Sequence, residues 1–260
     1  MNLLLLIVVF CLLGGLLSVL AAASFLGLPA AFRERVIPHL VSFATGALLG
    51  AAFIGLLPEA MEMLEGDHVE YLTATVLLGL LAFFVLEKMV IWRHCHNEHC
   101  AGHSHGSARQ RARSAGTLIL VGDAIHNFVD GVLIGAAFLT DPAVGVVTSI
   151  AVAAHEIPQE LGDFAILLAS GYSRGRAFAW NMAASLTTVL GGLLAWLSLS
   201  QSSTALPYLI AVAAASFIYI AVADLIPGMH ERTAVRESLQ QIVLITLGVV
   251  VIAGTEVLLH

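Results

Sequence analysis

Two clusters of ionisable residues interrupt otherwise apolar runs of this chain. The first is His126-Asn127-Phe128-Val129-Asp130, with Asp123 just upstream; the second is His155-Glu156-Ile157-Pro158-Gln159-Glu160-Leu161-Gly162-Asp163. Imidazole nitrogens and carboxylate and amide oxygens are ligands for divalent transition ions such as zinc. In hydrocarbon each ionisable side chain costs roughly 2.5–3.5 kcal/mol on insertion scales, so two dense groups mark a site. A lone membrane histidine or asparagine more often bridges helices than binds a metal. The metal reading therefore rests on His126, Asp130, His155 and Glu156 as a set, while Asn127 and Gln159 serve either as ligands or as structural bridges.

Helical spacing sharpens this set. Positions four apart share a face, which pairs His126 with Asp130, Asp123 with Asn127, His155 with Gln159 and Glu156 with Glu160. Asp163 extends the second face by two turns. Only Thr140-Asp141-Pro142 joins the two segments, so they are expected to be antiparallel neighbours. His126 lies roughly eleven residues from the inner end of its segment and His155 roughly thirteen from the outer end of its own, which at about 1.5 Å per residue puts both near mid-membrane. Pro158 removes a donor to the Ala154 carbonyl, predicting a kink and an oxygen released for water or a cation. For Asp123, Glu160 and Asp163 three roles stay open: feeding metal, accepting protons, or pairing with polar groups.

The elements that must hold these residues are membrane helices. The chain of 260 residues is 59% apolar and only 11% charged, with a mean hydropathy of +0.94, outside the range of average soluble domains. Apolar runs of spanning length recur eight times, near 2–26, 38–61, 70–92, 116–139, 143–170, 175–199, 205–227 and 238–259. None alternates with a period of two, so an all-α polytopic bundle forming a single domain over 1–260 is expected rather than a β-barrel. No Lys or Arg precedes Arg33, which reads the first run as a retained helix rather than a signal peptide. The 11 basic residues fall in or beside the first, third, fifth and seventh connections, predicting those on the cytoplasmic side and both termini outside. An integral multi-pass protein of the cell membrane, plasma or inner, is the expectation, with lipid as its surroundings and no nucleic-acid partner.

The longest connection, 93–115, contains His94, Cys95, His96, His99, Cys100, His103 and His105. This composition suits zinc and its neighbours, but the cysteine spacing defines no folded zinc module. It reads either as a flexible metal-catching cytoplasmic loop, with its cysteines reduced, or as a polar linker with incidental histidines. A weak internal symmetry links Leu56-Leu57-Pro58-Glu59-Ala60-Met61-Glu62 to Leu225-Ile226-Pro227-Gly228-Met229-His230-Glu231, on helices that run oppositely. Inverted repeats around a midplane site are a recurring transporter plan, so a 3+2+3 arrangement around the two central helices is expected. Glu59, Asp224 and His230 then fall near the mouths of a path, as contacts for the ion or as ordinary interfacial helix ends.

The motifs resemble those of the ZIP family of divalent-metal transporters, in particular its LIV-1 branch. Asp123-x-x-His126-Asn127-Phe128-x-Asp130-Gly131 is similar to the family's fourth-helix signature, and His155-Glu156-x-Pro158-x-Glu160-x-Gly162-Asp163 to its fifth. Phe83-Phe84-x-x-Glu87-Lys88 is a further match, and the eight-segment plan extends the resemblance over essentially the whole chain. The resemblance implies two metal positions, one contacted by His126, Asp130, His155 and Gln159 and the other by Asn127, Asp130, Glu156 and Gln159. It also implies uptake into the cytoplasm, alternating access and homodimers. Gln159 departs from the pattern, offering a neutral oxygen where relatives carry His or Glu. The sixth segment supplies Asn181, Ser185, Thr187 and Thr188 but no acid, and the second has Ala51 and Gly55 where relatives tend to be polar.

The function expected is movement of a divalent cation without ATP, since no phosphate-cradling loop is present. Zinc is the expected substrate because His155 adds an imidazole, with iron, cadmium and manganese admitted as alternatives and no organic cofactor. Protons would compete for those imidazoles on acidification. One rival is an intramembrane zinc-dependent hydrolase built on His155-Glu156, opposed by Gln159 at the place of the second histidine and by Pro158 in the ligand-bearing turn. Another is a metal sensor that uses the His-rich loop.

Overall fold

Leucine, valine and alanine fill the apolar runs, and a backbone surrounded by such side chains satisfies its polar groups most simply within its own helix. The computed structural model describes residues 2–64, 69–98, 108–199, 203–230 and 234–259. Among these the chain is all-helical. In chain order the helices are α1 (Leu3–Leu26), α2 (Ala30–Gly50), α3 (Leu57–Glu62), α4 (Val69–Glu98), α5 (Ala108–Thr140), α6 (Pro142–Ala169), α7 (Arg174–Ser185), α8 (Thr187–Leu199), α9 (Leu206–Tyr219), α10 (Ile226–His230) and α11 (Val235–Leu259). Local chemistry sets several starts. Asn2 accepts from the Leu4 N–H at 3.2 Å, and Asp141, followed by Pro142 in the first turn, accepts from Ala143 at 2.6 Å. These are the side-chain caps that orphan N–H groups at a helix start require.

Among the described residues seven stretches are long and apolar enough to cross a membrane: Leu3–Phe25, Arg35–Glu62, Val69–Leu86, Leu120–Thr140, Arg174–Leu199, Leu206–His230 and Val235–Leu258. The eighth expected run, 143–170, folds as the 28-residue α6 but falls outside this set. The reason is chemical: His155, Glu156, Gln159, Glu160 and Asp163 all ride on it. The chain is a multi-pass membrane protein. Of the 93–115 connection, residues 93–98 continue α4 and 108–115 open α5, whereas 99–107 lie outside the described residues.

Two π-helical stretches, Ala51–Leu56 and Ile220–Leu225, lie directly before the paired Leu-Pro and Ile-Pro steps. The Leu57 N–H donates to the Ala52 carbonyl and the Ile226 N–H to that of Ala221, a spacing of five instead of four. Pro58 and Pro227 have no N–H to donate, and their rings would crowd the carbonyl four residues back. Widening the turn relieves that crowding without ending the helix.

The antiparallel pair α5 and α6 occupies the middle of the bundle. α6 packs against α1 and α2, and α5 against α8 and α9. Ile134, Phe138, Ile210 and Phe217 are buried between them, and the rings of Phe138 and Phe10 are 5.1 Å apart. The contact between α5 and α8 is made backbone to backbone. A Cβ on Gly131 would sit 1.8 Å from the Thr188 carbonyl oxygen, and one on Gly191 would sit 2.0 Å from that of Phe128. Small residues permit such an approach between membrane helices. The outward faces of α4 and α11 present Leu77, Leu78, Leu81, Ile242, Val243 and Val250, an exterior suited to hydrocarbon.

Candidate metal centre

His126 and Asp130 are one turn apart on α5, and His155 and Glu156 are consecutive on α6. Helix pairing brings one donor atom from each into a common space, all within 4.8 Å of one another. His155 Nε2 is 3.1 Å from Asp130 Oδ2 and 3.3 Å from His126 Nε2. His126 Nε2 in turn lies 3.6 Å from Asp130 Oδ2 and 3.5 Å from Glu156 Oε1. Asp130, His155 and Glu156 are about 1% exposed or less, while the His126 side chain is 24% exposed. His126 is thus the member of the set through which the centre meets the surface of the chain.

Surrounding contacts aim these ligands. The Nδ1 of His155 lies 3.0 Å from the Ala151 carbonyl oxygen. A carbonyl only accepts, so this nitrogen carries the proton and directs Nε2 into the centre, an arrangement common to metal-binding histidines. The ring also packs edge-on against Phe217, with centroids 6.1 Å apart, which holds its plane. Asn127 is engaged on both sides of its amide: Nδ2 donates to Asp123 Oδ1 at 2.9 Å, and Oδ1 accepts from Thr188 at 2.9 Å. Thr187 donates to the Ala124 carbonyl at 2.6 Å. The break between α7 and α8 therefore brings two threonine hydroxyls against α5 beside the centre.

A second group adjoins the first. Asp123, Glu156 and Glu160 offer oxygens that also lie within 4.8 Å of one another, all from buried residues. Ser185 of α7 donates to Glu160 Oε1 at 2.9 Å, and Asn181, one turn earlier on that helix, is fully buried. Gln159 is half-buried on α6, and Asp163 is half-buried one turn beyond it. Glu59 and His230, on α3 and α10, belong to neither group, and the backbone of Asp224 falls in the second π-helical stretch. His94 and His96 lie on the backbone of α4, and His99, His103 and His105 fall outside the described residues.

The centre thus unites His126, Asp130, His155 and Glu156. Glu156, which the resemblance assigned to a second metal position, reaches the first group. Thr188, Ser185 and Asn181 were noted in the sequence only for the acid they lack. Their signal was weak: single polar residues on a glycine-bearing segment, with no spacing that ties them to α5 or α6.

A family model described as ZIP Zinc transporter matches residues 1–114 and 92–256. The Zinc transporter ZIP13 of Pongo abelii is 34% identical over 230 residues, covering 82% of this chain and 65% of that protein. Its counterpart in Homo sapiens is 31% identical over 261 residues, covering 82% of this chain and 69% of the other. The Zinc transporter foi of Drosophila melanogaster is 45% identical over 133 residues, 50% of this chain and 18% of that protein. The chain spans about two thirds of the ZIP13 relatives.

Proposed function

This chain belongs to the ZIP family of zinc transporters, a family of transporters rather than enzymes, and on that premise we propose that it carries zinc through the centre of His126, Asp130, His155 and Glu156. The observation that carries the reading is the contact between His155 Nε2 and Asp130 Oδ2 at 3.1 Å. With Nδ1 committed to Ala151, Nε2 is a lone-pair donor facing a carboxylate, and such a pair attracts only with a cation or a proton between them. Two imidazoles and two carboxylates suit zinc, neutralise its charge in low dielectric, and leave it able to depart.

Eight spans in a 3+2+3 inverted repeat, with α6 as the fifth, complete the proposed architecture, and the π-helical stretches at matching prolines support it. Ions move inward to the cytoplasm by alternating access without ATP, in a cell membrane, with both termini outside and 93–115 inside. The functional unit is a homodimer. Asn127 and Gln159 contribute oxygens to a second metal position, as the family resemblance implies, and Glu59, Asp224 and His230 contact the ion near the mouths. The histidines at 94, 96, 99, 103 and 105 collect metal on the inner side. Iron, cadmium and manganese compete as alternative substrates. In proteoliposomes, zinc uptake lost in His126→Ala and His155→Ala supports the reading; zinc bound with no flux at any gradient defeats it.

A further inference from the structure

Beside the zinc centre, three carboxylates from two helices meet with few groups to hold them. Asp123 on α5 is 4% exposed, and Glu156 and Glu160 on α6 are both 0% exposed. Asn127 satisfies one oxygen of Asp123, and Ser185 one oxygen of Glu160. Asp123 Oδ2, Glu160 Oε2 and both Glu156 oxygens are buried without a hydrogen-bond partner. Among the described residues no Lys or Arg pairs with any of the three; the ion pairs of Glu156 are to histidine. Asn181, 0% exposed and one turn before Ser185 on the same helix, has an amide whose nitrogen and oxygen are both without a hydrogen bond. Carboxylates this close repel strongly in a medium of low dielectric, and their unused lone pairs point to a cation.

From this geometry we infer that Asp123, Glu156 and Glu160 form a second divalent-cation subsite, made of oxygen donors alone and joined to the first centre through Glu156. The inference rests on the transport reading and deepens it. It differs in its ligand set from the second position that the resemblance implies: Asp123 and Glu160 join Glu156 here, in place of Asn127, Asp130 and Gln159, and Asn127 braces Asp123 through its Nδ2. Asp123 precedes His126 by three residues, toward the start of α5, and Glu160 follows Glu156 by four, toward the end of α6. In the antiparallel pair these directions coincide. An ion leaving the histidines toward that end of the bundle therefore passes to the three carboxylates through the shared Glu156. Oxygen donors alone hold zinc less tightly than a set with two imidazoles, so the step descends in affinity and favours release.

The test is calorimetric titration of the whole chain in detergent with zinc chloride, comparing wild type with D123N and E160Q. Both variants are expected to lose one zinc per chain, the weaker event, while keeping the tighter one that His155→Ala removes. The histidines of 94–105 are present in every protein compared, so their contribution cancels in the difference. Wild-type stoichiometry and affinities in both variants overturn the subsite. If E160Q does not fold, D123N on the other helix carries the same test, its folding certified by the retained tight event. Failure of the transport reading is separate, because it appears as unchanged zinc flux in His155→Ala proteoliposomes whatever the zinc count.

Discussion

His155 Nε2 lies 3.1 Å from Asp130 Oδ2, while the other nitrogen of the same ring is held by the Ala151 carbonyl at 3.0 Å. The second contact gives the first its meaning. A ring free to turn could donate to the aspartate and close a structural hydrogen bond between α5 and α6. A ring whose Nδ1 proton is already placed turns Nε2 toward the carboxylate, and that contact is attractive with a cation or a second proton between the two atoms.

Removing either partner should therefore abolish transport while leaving the bundle folded. His155→Ala and Asp130→Asn are expected to lower the initial zinc uptake rate in proteoliposomes by about 100-fold, the upper range for even outer-shell changes at metal sites. Thermal unfolding in detergent serves as the control. Normal uptake by either variant would mean that ions cross elsewhere.

The contact between α5 and α8 yields a stability prediction independent of transport. A Cβ at Gly131 would be 1.8 Å from the Thr188 carbonyl oxygen, with backbone on the far side that cannot swing away. Gly131→Ala should cost roughly 1–3 kcal/mol through overpacking, seen as a lower unfolding midpoint in detergent. Gly162 on α6 is the comparison, since a Cβ there meets nothing within 4 Å. Gly162→Ala should hold or raise the midpoint, because alanine is favoured over glycine in a helix by about 1 kcal/mol.

The difference between local and long-range order explains what could be read from the chain. The pairings of His126 with Asp130 and Asp123 with Asn127 follow from spacing on one helix, and both contacts are present at 3.6 Å and 2.9 Å. The short joint Thr140-Asp141-Pro142 announced the antiparallel return of α6 beside α5. Contacts that cross between distant segments left no such mark. Thr188 reaches Asn127 across 61 residues, and Ser185 reaches Glu160 across 25, and both depend on how closely α7 and α8 approach the central pair. Gly191 and Gly192 permit that approach, but small residues in a sequence indicate a close contact without naming its partner. The π-helical stretches were equally hidden: Pro58 and Pro227 predict that something must yield, and a widened turn is one of several ways to yield.

One of those crossing contacts can be tested by itself. Thr188→Val keeps the shape of the side chain and removes the hydroxyl that donates to Asn127 Oδ1 at 2.9 Å. The buried amide oxygen then lacks a donor, at a cost of about 1–3 kcal/mol. Thr188→Ser retains the hydroxyl and should unfold close to the wild-type midpoint. Equal stability of the valine and serine variants would mean that the Asn127 oxygen draws its support from elsewhere.

Metal choice should follow from the ratio of nitrogen to oxygen donors. With His126 and His155 facing Asp130 and Glu156, half of the first ligand set is imidazole, which favours zinc-like ions over manganese. In competition for zinc uptake, cadmium should inhibit well at concentrations equal to zinc, and manganese should need at least about tenfold more. His155→Glu replaces one imidazole with a carboxylate and at the same time removes the Nδ1 donor to Ala151. The ratio of zinc to manganese uptake should then fall by about tenfold as the donor set becomes oxygen-rich. A ratio unchanged in His155→Glu, measured in the same vesicles with both ions, would show that this nitrogen does not set selectivity and that the ions are sorted before they reach the centre.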